Sequence, residues 1–290
     1  MRNQIKREAQ GAKVLGLSAN RLRNLQLQYP SETDEQQKIA DCLSSLDGLI
    51  VAEAGKLDAL KVHKKGLMQQ LFPAPNETTP RLRFAEFQDA GEWEETRIGD
   101  IADVLQGYGF PEKFQGLTKG EYPFYKVSDI SRSLDARRHR IIDASNYIDQ
   151  DTFKKMKVKY IPIGTTIFAK IGEAIRSNKR AITTVKCIVD NNVAGLKSID
   201  GRSIDEFIFY FFSRVSLIEY SGGVVPSISK SAIEEISERC PSVDEQARIA
   251  ACLSSIDSLI AAQGDKIDAL KTHKKGLIQQ LFPAMDEVQP

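Results

Sequence analysis

The chain is poor in the residues that usually mark a chemical centre. Among 290 residues there are one tryptophan, three histidines and four cysteines. Cys42, Cys187, Cys240 and Cys252 form no C-x-x-C, and His63, His139 and His273 do not complete a zinc spacing, so no metal site is assigned. Scattered thiols are read as reduced, which points to the cytoplasm. There is no signal peptide and no apolar run of about 18 residues, so secretion and membrane insertion are not expected. Catalytic signatures are also missing. Gly107-Tyr108-Gly109 lacks the rest of a phosphate-cradling loop, there is no H-E-x-x-H, and no motif groups Ser, His and Asp. Nuclease-type carboxylate clusters and cofactor loops are likewise absent. No catalytic residue is assigned.

An excess of either charge is missing overall: 40 Lys and Arg face 39 Asp and Glu. The distribution is less even. From Lys126 to Lys186 there are 14 Lys and Arg against 6 Asp and Glu. A basic middle in a balanced chain is the footprint of a phosphate-binding face, or simply a solvated lysine-rich surface.

What the chain does have is a segment that occurs twice. Residues 34–74 and 244–284 align at a fixed offset of 210 with 29 identities in 41 positions. A long internal repeat takes precedence over other readings of the fold. In the first copy Ile39, Leu43, Leu46, Ile50, Leu57, Leu60, Leu67 and Leu71 fall at three- and four-residue steps, with Glu53 and Lys64 in the two polar slots. The second copy gives Ile249, Leu253, Ile256, Ile260, Ile267, Leu270, Leu277 and Leu281, with Gln263 and Lys274 as the polar members. This spacing predicts two long helices, each with a narrow coiled-coil seam.

Thr33-x-x-Gln36 and Ser242-x-x-Glu245 fit capping boxes at the starts, and Pro73 and Pro283 mark the ends. Each helix is about 39 residues, or about 58 Å. The expected arrangement is an antiparallel coiled coil within the chain. With flush ends, facing residue numbers sum to 316, which brings Glu53 to Gln263. Either these two pair in the seam and fix its register, or both reach out to solvent. Gly66 and Gly276 occupy the same place in the two copies, where close approach of a partner or local fraying would explain them. The nearby HKK clusters at 63–65 and 273–275 are solvated or face phosphates.

Between the helices the pattern changes. Residues 74–92 read as a polar linker and 93–243 as an α/β (α+β) module. EYPFYKVSDI, IPIGTTIFAKI and KRAITTVKCIV are β-rich, while IDEFIFYFFSRVSLIEYS and SKSAIEEISERC are helical. Trp93 is a core or hinge anchor, and Tyr122, Phe124, Tyr125 and Phe168 are core residues. Residues 1–33 are short for a domain and lead into the first helix much as 227–243 lead into the second. Ser18 matches Ser229, and Pro30 matches Pro241. Residues 1–33 therefore read as the remnant of a preceding module, with the long helices at 34–73 and 244–283 and a tail at 284–290.

The order helix, module, helix resembles the C-terminal part of the specificity subunit of type I restriction–modification systems. The residues that carry the resemblance are DEQ…IA.CLSS.D at 34–47 and 244–257, and HKKGL.QQLFP at 63–73 and 273–283. PRLRFAEFQDAGEWEETRIGDIADV, GYGFPEKFQG and FAKIGEAIRSNKR…VDNNVAGL look like parts of a target recognition domain. The resemblance implies a DNA-binding recognition domain between two helical regions that dock methyltransferase (M) subunits. Restriction (R) subunits would join through the complex. It also implies that S-adenosylmethionine, ATP and magnesium belong to those partners, and that this chain is a non-catalytic targeting subunit. Self-association would supply a second module. A coiled-coil protein adaptor, or an inactive truncated or reserve cassette, is the alternative.

Two stretches have the side chains for reading double-stranded DNA. The first is Gln106, Tyr108, Lys126, Ser128 and Asp129. The second, favoured on its charge, is Lys170, Arg176, Ser177, Asn178, Lys179 and Arg180. Arginine suits guanine, Asn and Gln suit adenine, and lysine positions the protein on phosphates. Asn191 and Asn192 could contact DNA or cap a turn. For each residue the plainer reading is a solvated loop or turn position.

Overall fold

The computed structural model describes residues 18–23, 29–135 and 139–282, so most of residues 1–33, and Pro283 with the tail after it, lie outside it. The helices among these residues are α1 (Ala19–Arg23), α2 (Thr33–Gln70), α3 (Ile98–Ile101), α4 (Val127–Asp135), α5 (Gln150–Met156), α6 (Asp205–Ser213), α7 (Lys230–Glu234) and α8 (Val243–Leu281). The strands are β1 (Glu94–Arg97), β2 (Ala102–Gln106), β3 (Tyr122–Tyr125), β4 (Arg140–Ile141), β5 (Tyr147–Ile148), β6 (Thr166–Ala169), β7 (Arg180–Thr183), β8 (Ile188–Val189), β9 (Val193–Ser198) and β10 (Ser237–Cys240). The chain forms two compact units. One holds residues up to 59 and from 262 onward, the other residues 60–261.

In the first unit α2 and α8 run antiparallel in the expected register. The Gln263 side-chain amide donates to the Glu53 carboxylate at 2.5 Å and to the Glu53 carbonyl at 3.0 Å. Gln263 is only 6% exposed, so it belongs to the seam and does not reach solvent. The Lys266 ammonium, then the Gln263 amide, hold the Glu53 carboxyl below the usual glutamate range. Lys274 pairs with Asp47 at 2.5 Å. Leu57 and Ile267 are buried, while Ile39, Leu43, Leu46, Ile50, Leu270, Leu277 and Leu281 are half-buried.

The starts of the long helices match beyond the repeat itself. Gln36 donates to the Pro30 carbonyl at 2.7 Å, and Gln246 donates to the Pro241 carbonyl at 3.0 Å. Ser18 and Ser229 each stand before a five-residue helix, and their hydroxyls accept from Arg21 and Ala232 backbone N–H groups. The expected capping boxes are not complete. Gln36 is spent on Pro30. Glu245 gives its N–H to Ser242 at 3.4 Å, but its carboxylate turns to Arg83. The repeat glycines do not mark close packing inside the chain, since a Cβ at Gly66 or Gly276 would meet nothing within 4 Å. The helices continue past both, so fraying does not explain them either.

In the second unit the inner turns of the two helices are again antiparallel, with Lys64 gripping both Asp257 oxygens at 2.6 and 2.8 Å. Ile249, Leu253, Ile256, Ile260 and Leu71 are buried, and Leu60 and Leu67 are half-buried. The module is closed by its own ends. β1 pairs antiparallel with β10, and Glu94 lies opposite Cys240. A five-stranded sheet has the order β2-β9-β6-β7-β4 and a three-stranded sheet the order β5-β3-β8. Most pairs are antiparallel; β4–β7 and β3–β8 are parallel.

Alternation builds the core. Ile167, Ala181 and Val193 face one way, into a cluster with Tyr125, Ile130 and Ile141. Their neighbours Phe168, Ile182 and Ala194 face the other way, into a cluster with α6, Trp93, Phe72 and Leu253. A sheet with both faces covered needs apolar residues on both, as these strands have. The stretch of α6 from Phe207 to Phe212, apolar but for the Tyr210 hydroxyl, is buried for the same reason.

Three sequence expectations change. VSDI belongs to α4, SERC is β10 instead of helix, and the supposed linker is pinned. Arg83 makes a two-pronged bond to Glu245, 2.8 Å on each side, and the Trp93 backbone N–H donates to the Thr78 carbonyl at 3.0 Å.

Asp257 also accepts from the Tyr210 hydroxyl at 2.7 Å and lies 3.7 Å from His139. Its repeat counterpart Asp47 pairs with Lys274 among the described residues and is 58% exposed at the side chain, against 10% for Asp257. Asp257→Ala is therefore expected to lower unfolding stability by about 1.5–3 kcal/mol, because a charged acceptor is lost. Asp47→Ala should change it by less than about 1 kcal/mol. Denaturant melts of the two variants check the difference. Burial pushes the His139 imidazole down from its ordinary value, with Asp257 opposing. The unfolded chain then binds the proton more readily, so stability should fall as pH drops through the ordinary histidine range. His139→Leu should flatten that slope in melts across roughly pH 5–8.

Candidate nucleic-acid interface

One end of the five-stranded sheet gathers polar side chains from separate parts of the sequence. β2 ends at Gln106, β6 runs out at Lys170, and β9 begins just after Asn192. The Lys170 ammonium donates to the Gln106 side-chain oxygen, and the Lys170 N–H donates to the Asn192 carbonyl at 2.9 Å. Tyr108 bridges to Asp190, with its N–H on the Val189 carbonyl at 2.9 Å. That crossing needs Gly107, because a Cβ there would sit 1.9 Å from the Asp190 carbonyl oxygen. Lys126 leaves β3 at the same end, since the Asp190 N–H donates to the Tyr125 carbonyl. Its ammonium bonds Gln115 at 2.7 Å and lies 5.4 Å from the Phe110 ring.

Two cations here have no carboxylate partner among the described residues: Lys126 and Lys170 pair with amide oxygens instead. Partial burial pushes the Lys170 ammonium down from its ordinary value, with no acid to oppose it. A cation held on neutral acceptors keeps its charge available to an anion. Asn191 is exposed. Asn192 is exposed but makes a turn, donating from its backbone and its amide to one Asp190 oxygen at 2.9 and 2.7 Å.

The favoured second stretch does not form a continuous reading edge. Arg180 is 3% exposed, stands 4.6 Å from the Phe212 ring, and donates to the Val215 and Asn178 carbonyls. Burial without an acid pushes it down to about 9. Asn178 has φ 50° and clamps Val215 and Leu217. Both are structural: strand β7 turns Arg180 towards the α6 side of the sheet, and the left-handed turn before it places Asn178 against the chain that follows α6. Arg176 is exposed and paired with Glu173 at 3.0 Å; Ser177 is exposed, bonded to the Ala174 carbonyl; Lys179 is half-buried. In the first stretch Asp129 is also corrected. It is 1% exposed and accepts from Lys126, Ser145 and Arg132, so it holds a loop to the start of α4. Ser128 beside it is exposed.

The sequence reading missed Gln115 and Asp190, which orient Lys126 and Asn192, and the loop Gly222–Ser227. In that loop Gly222 and Ser227 exchange backbone hydrogen bonds at 3.0 and 3.1 Å. Its glycines, paired valines and proline signalled only a turn.

Comparison with known proteins adds the following. A family model described as type I restriction modification DNA specificity domain matches residues 1–62 and 90–272. The MjaIX specificity subunit of a type I restriction enzyme from Methanocaldococcus jannaschii is 28% identical over 75% of this chain and 50% of its own length. The MjaVIII specificity subunit from the same organism is 22% identical over 96% of this chain and 66% of its own length. The crystal structure of a type I restriction–modification S subunit from M. genitalium has the same fold. Its TM-score is 0.63 at 15% identity, covering 98% of this chain and 70% of that one. The chain thus spans half to two thirds of the length of the curated relatives it matches.

Proposed function

This chain belongs to the type I restriction modification DNA specificity family, and from that premise we propose that its module reads one half of a bipartite DNA target. The observation that supports this best is the sheet end itself. Gln106, Tyr108, Lys126, Lys170, Asn191 and Asn192 come together there, with two cations free of carboxylates. Gln and Asn amides match the donor and acceptor pattern of adenine, and the lysines suit phosphates. The helix pair acts as a spacer and docks M subunits, through which R subunits join. No cofactor is assigned to this chain. S-adenosylmethionine, ATP and magnesium belong to the partners in this reading, and the chain itself is a non-catalytic targeting subunit.

Self-association completes the reading. In the second unit Glu245, Gln246, Ile249, Ala250 and Leu253 are buried. Their repeat counterparts Glu35, Gln36 and Ala40 are exposed, and Ile39 and Leu43 are half-buried. Phe282 is 40% exposed, whereas its counterpart Phe72 is 1% exposed. The first unit thus offers the same side chains that carry a module in the second, and a second copy of the chain would seat its module there.

Two experiments test these statements. In mobility shifts with selection from random duplexes, the chain should enrich one short half-site, with affinity falling steeply as salt rises. Lys170→Ala should weaken all sequences alike, Asn191→Ala should relax one position by about 1–3 kcal/mol, and Arg180→Ala should lower stability first. Binding indifferent to both sequence and salt would reject the reading. For self-association, sedimentation should give a dimer that Glu35→Arg disrupts, because it would meet Arg83 of the second copy. A monomer at all concentrations would reject that part.

A further inference from the structure

The loop at Gly222–Ser227 carries the most exposed apolar side chain among the described residues: Val224 is 105% exposed, and Val225 beside it 62%. Full exposure of a valine forgoes about 1.5–3 kcal/mol of burial energy, so two together at one tip call for an explanation. The tip is not loosely attached. Gly222 and Ser227 bond each other in both directions, and Gly223 takes the turn at φ 90°. The Gly172 N–H donates to the Pro226 carbonyl at 2.7 Å, and the Ile228 N–H donates to the Lys170 carbonyl at 3.0 Å. Pro226 and Ile228 are buried beneath it. The anchor residue is thus Lys170, whose side chain holds Gln106 and has no acid partner.

A stiff apolar point tied to a row of amides and lysines has a mixed character. The lysines suit phosphates, the amides suit base edges, and a valine pair suits the one apolar group on a base edge in the major groove, the thymine methyl. Charge complementarity selects a nucleic acid over an apolar protein patch as the surface that covers this tip. We propose that Val224 and Val225 form an apolar base-reading contact that selects a thymine at one position of the half-site. The inference rests on the DNA-reading function proposed above and names a contact that function does not require. Side chains of this size reach the methyl by van der Waals contact, and no bond is made or broken.

The test uses the full chain and the half-site selected by the wild type. Replacing thymine by uracil at one position, which removes only the methyl, should weaken wild-type binding about fourfold. The double variant Val224→Ser, Val225→Ser should bind the thymine and uracil duplexes equally and keep the wild-type salt dependence and preference at the other positions. Its melting temperature should match the wild type, since both side chains are exposed. A double variant that still discriminates thymine from uracil, or a wild type indifferent to uracil at every position, overturns the proposal while leaving the DNA-reading function in place. So does a uniform loss on all sequences, which makes the tip a non-selective support. A wild type that enriches no sequence overturns the DNA-reading function itself, and this contact with it.

Discussion

Two apolar seams of nearly the same sequence must be kept from water, and that constraint orders the chain. Seam residues at three- and four-residue steps bury well only against a helix with the same spacing. Many registers would satisfy the hydrophobic part. The polar members choose among them. A slip of one heptad would set Gln263 opposite Leu46 or Leu60 and leave its amide and the Glu53 carboxylate without each other. In the observed register the two are bonded at 2.5 Å. The pair adds little net stability, since its desolvation offsets its attraction, but the mismatched registers lose more. Lys64 with Asp257 and Lys274 with Asp47 reinforce the same choice, one pair in each unit.

Near-identical sequences nevertheless end in different surroundings. Asp257 lies among Lys64, Tyr210 and His139, while Asp47, more exposed, pairs with Lys274. Glu245 is locked by Arg83, while Glu35 is exposed. Side-chain chemistry is the same at each matched position. What differs is the module with the segment that leads into it, which cover α8 in the second unit and supply Arg83, Arg202 and Tyr210 as partners. The residues that grip the module at one position are available for the same kind of contact at the other.

The module spends its cations in two ways. Arg180 and Arg214 are drawn inward, onto carbonyls and the faces of Phe212 and Phe72. There the guanidinium is a packing element with several donors, and its charge is not offered to solvent. Lys126 and Lys170 are held at the sheet end by neutral amides, where charge stays available. Counting basic residues along the sequence merges these two groups, and so the basic middle overstated the second stretch and understated the sheet end. The Gly222–Ser227 loop extends that same end with an apolar point.

The sequence made the two helices and their antiparallel pairing legible, because helical periodicity and an internal repeat are local facts that leave few packings, but it left the Glu53–Gln263 pair as one of two outcomes, between which the burial of Gln263 chooses. It also determined the α+β character of the module and the burial of Trp93, Phe124, Tyr125 and Phe168, since large apolar side chains have few places to go. Which polar side chains face solvent was set by long-range packing. Arg176 and Arg180 are four residues apart, yet one is exposed and the other buried, because a strand begins at Arg180 and its hydrogen bonds fix the direction of each side chain. Gln106, Lys126, Lys170 and Asn192 are far apart in sequence and become neighbours through the order β2-β9-β6 and the crossing of Tyr108 with Asp190. Strand order depends on long-range pairing, which no local pattern encodes.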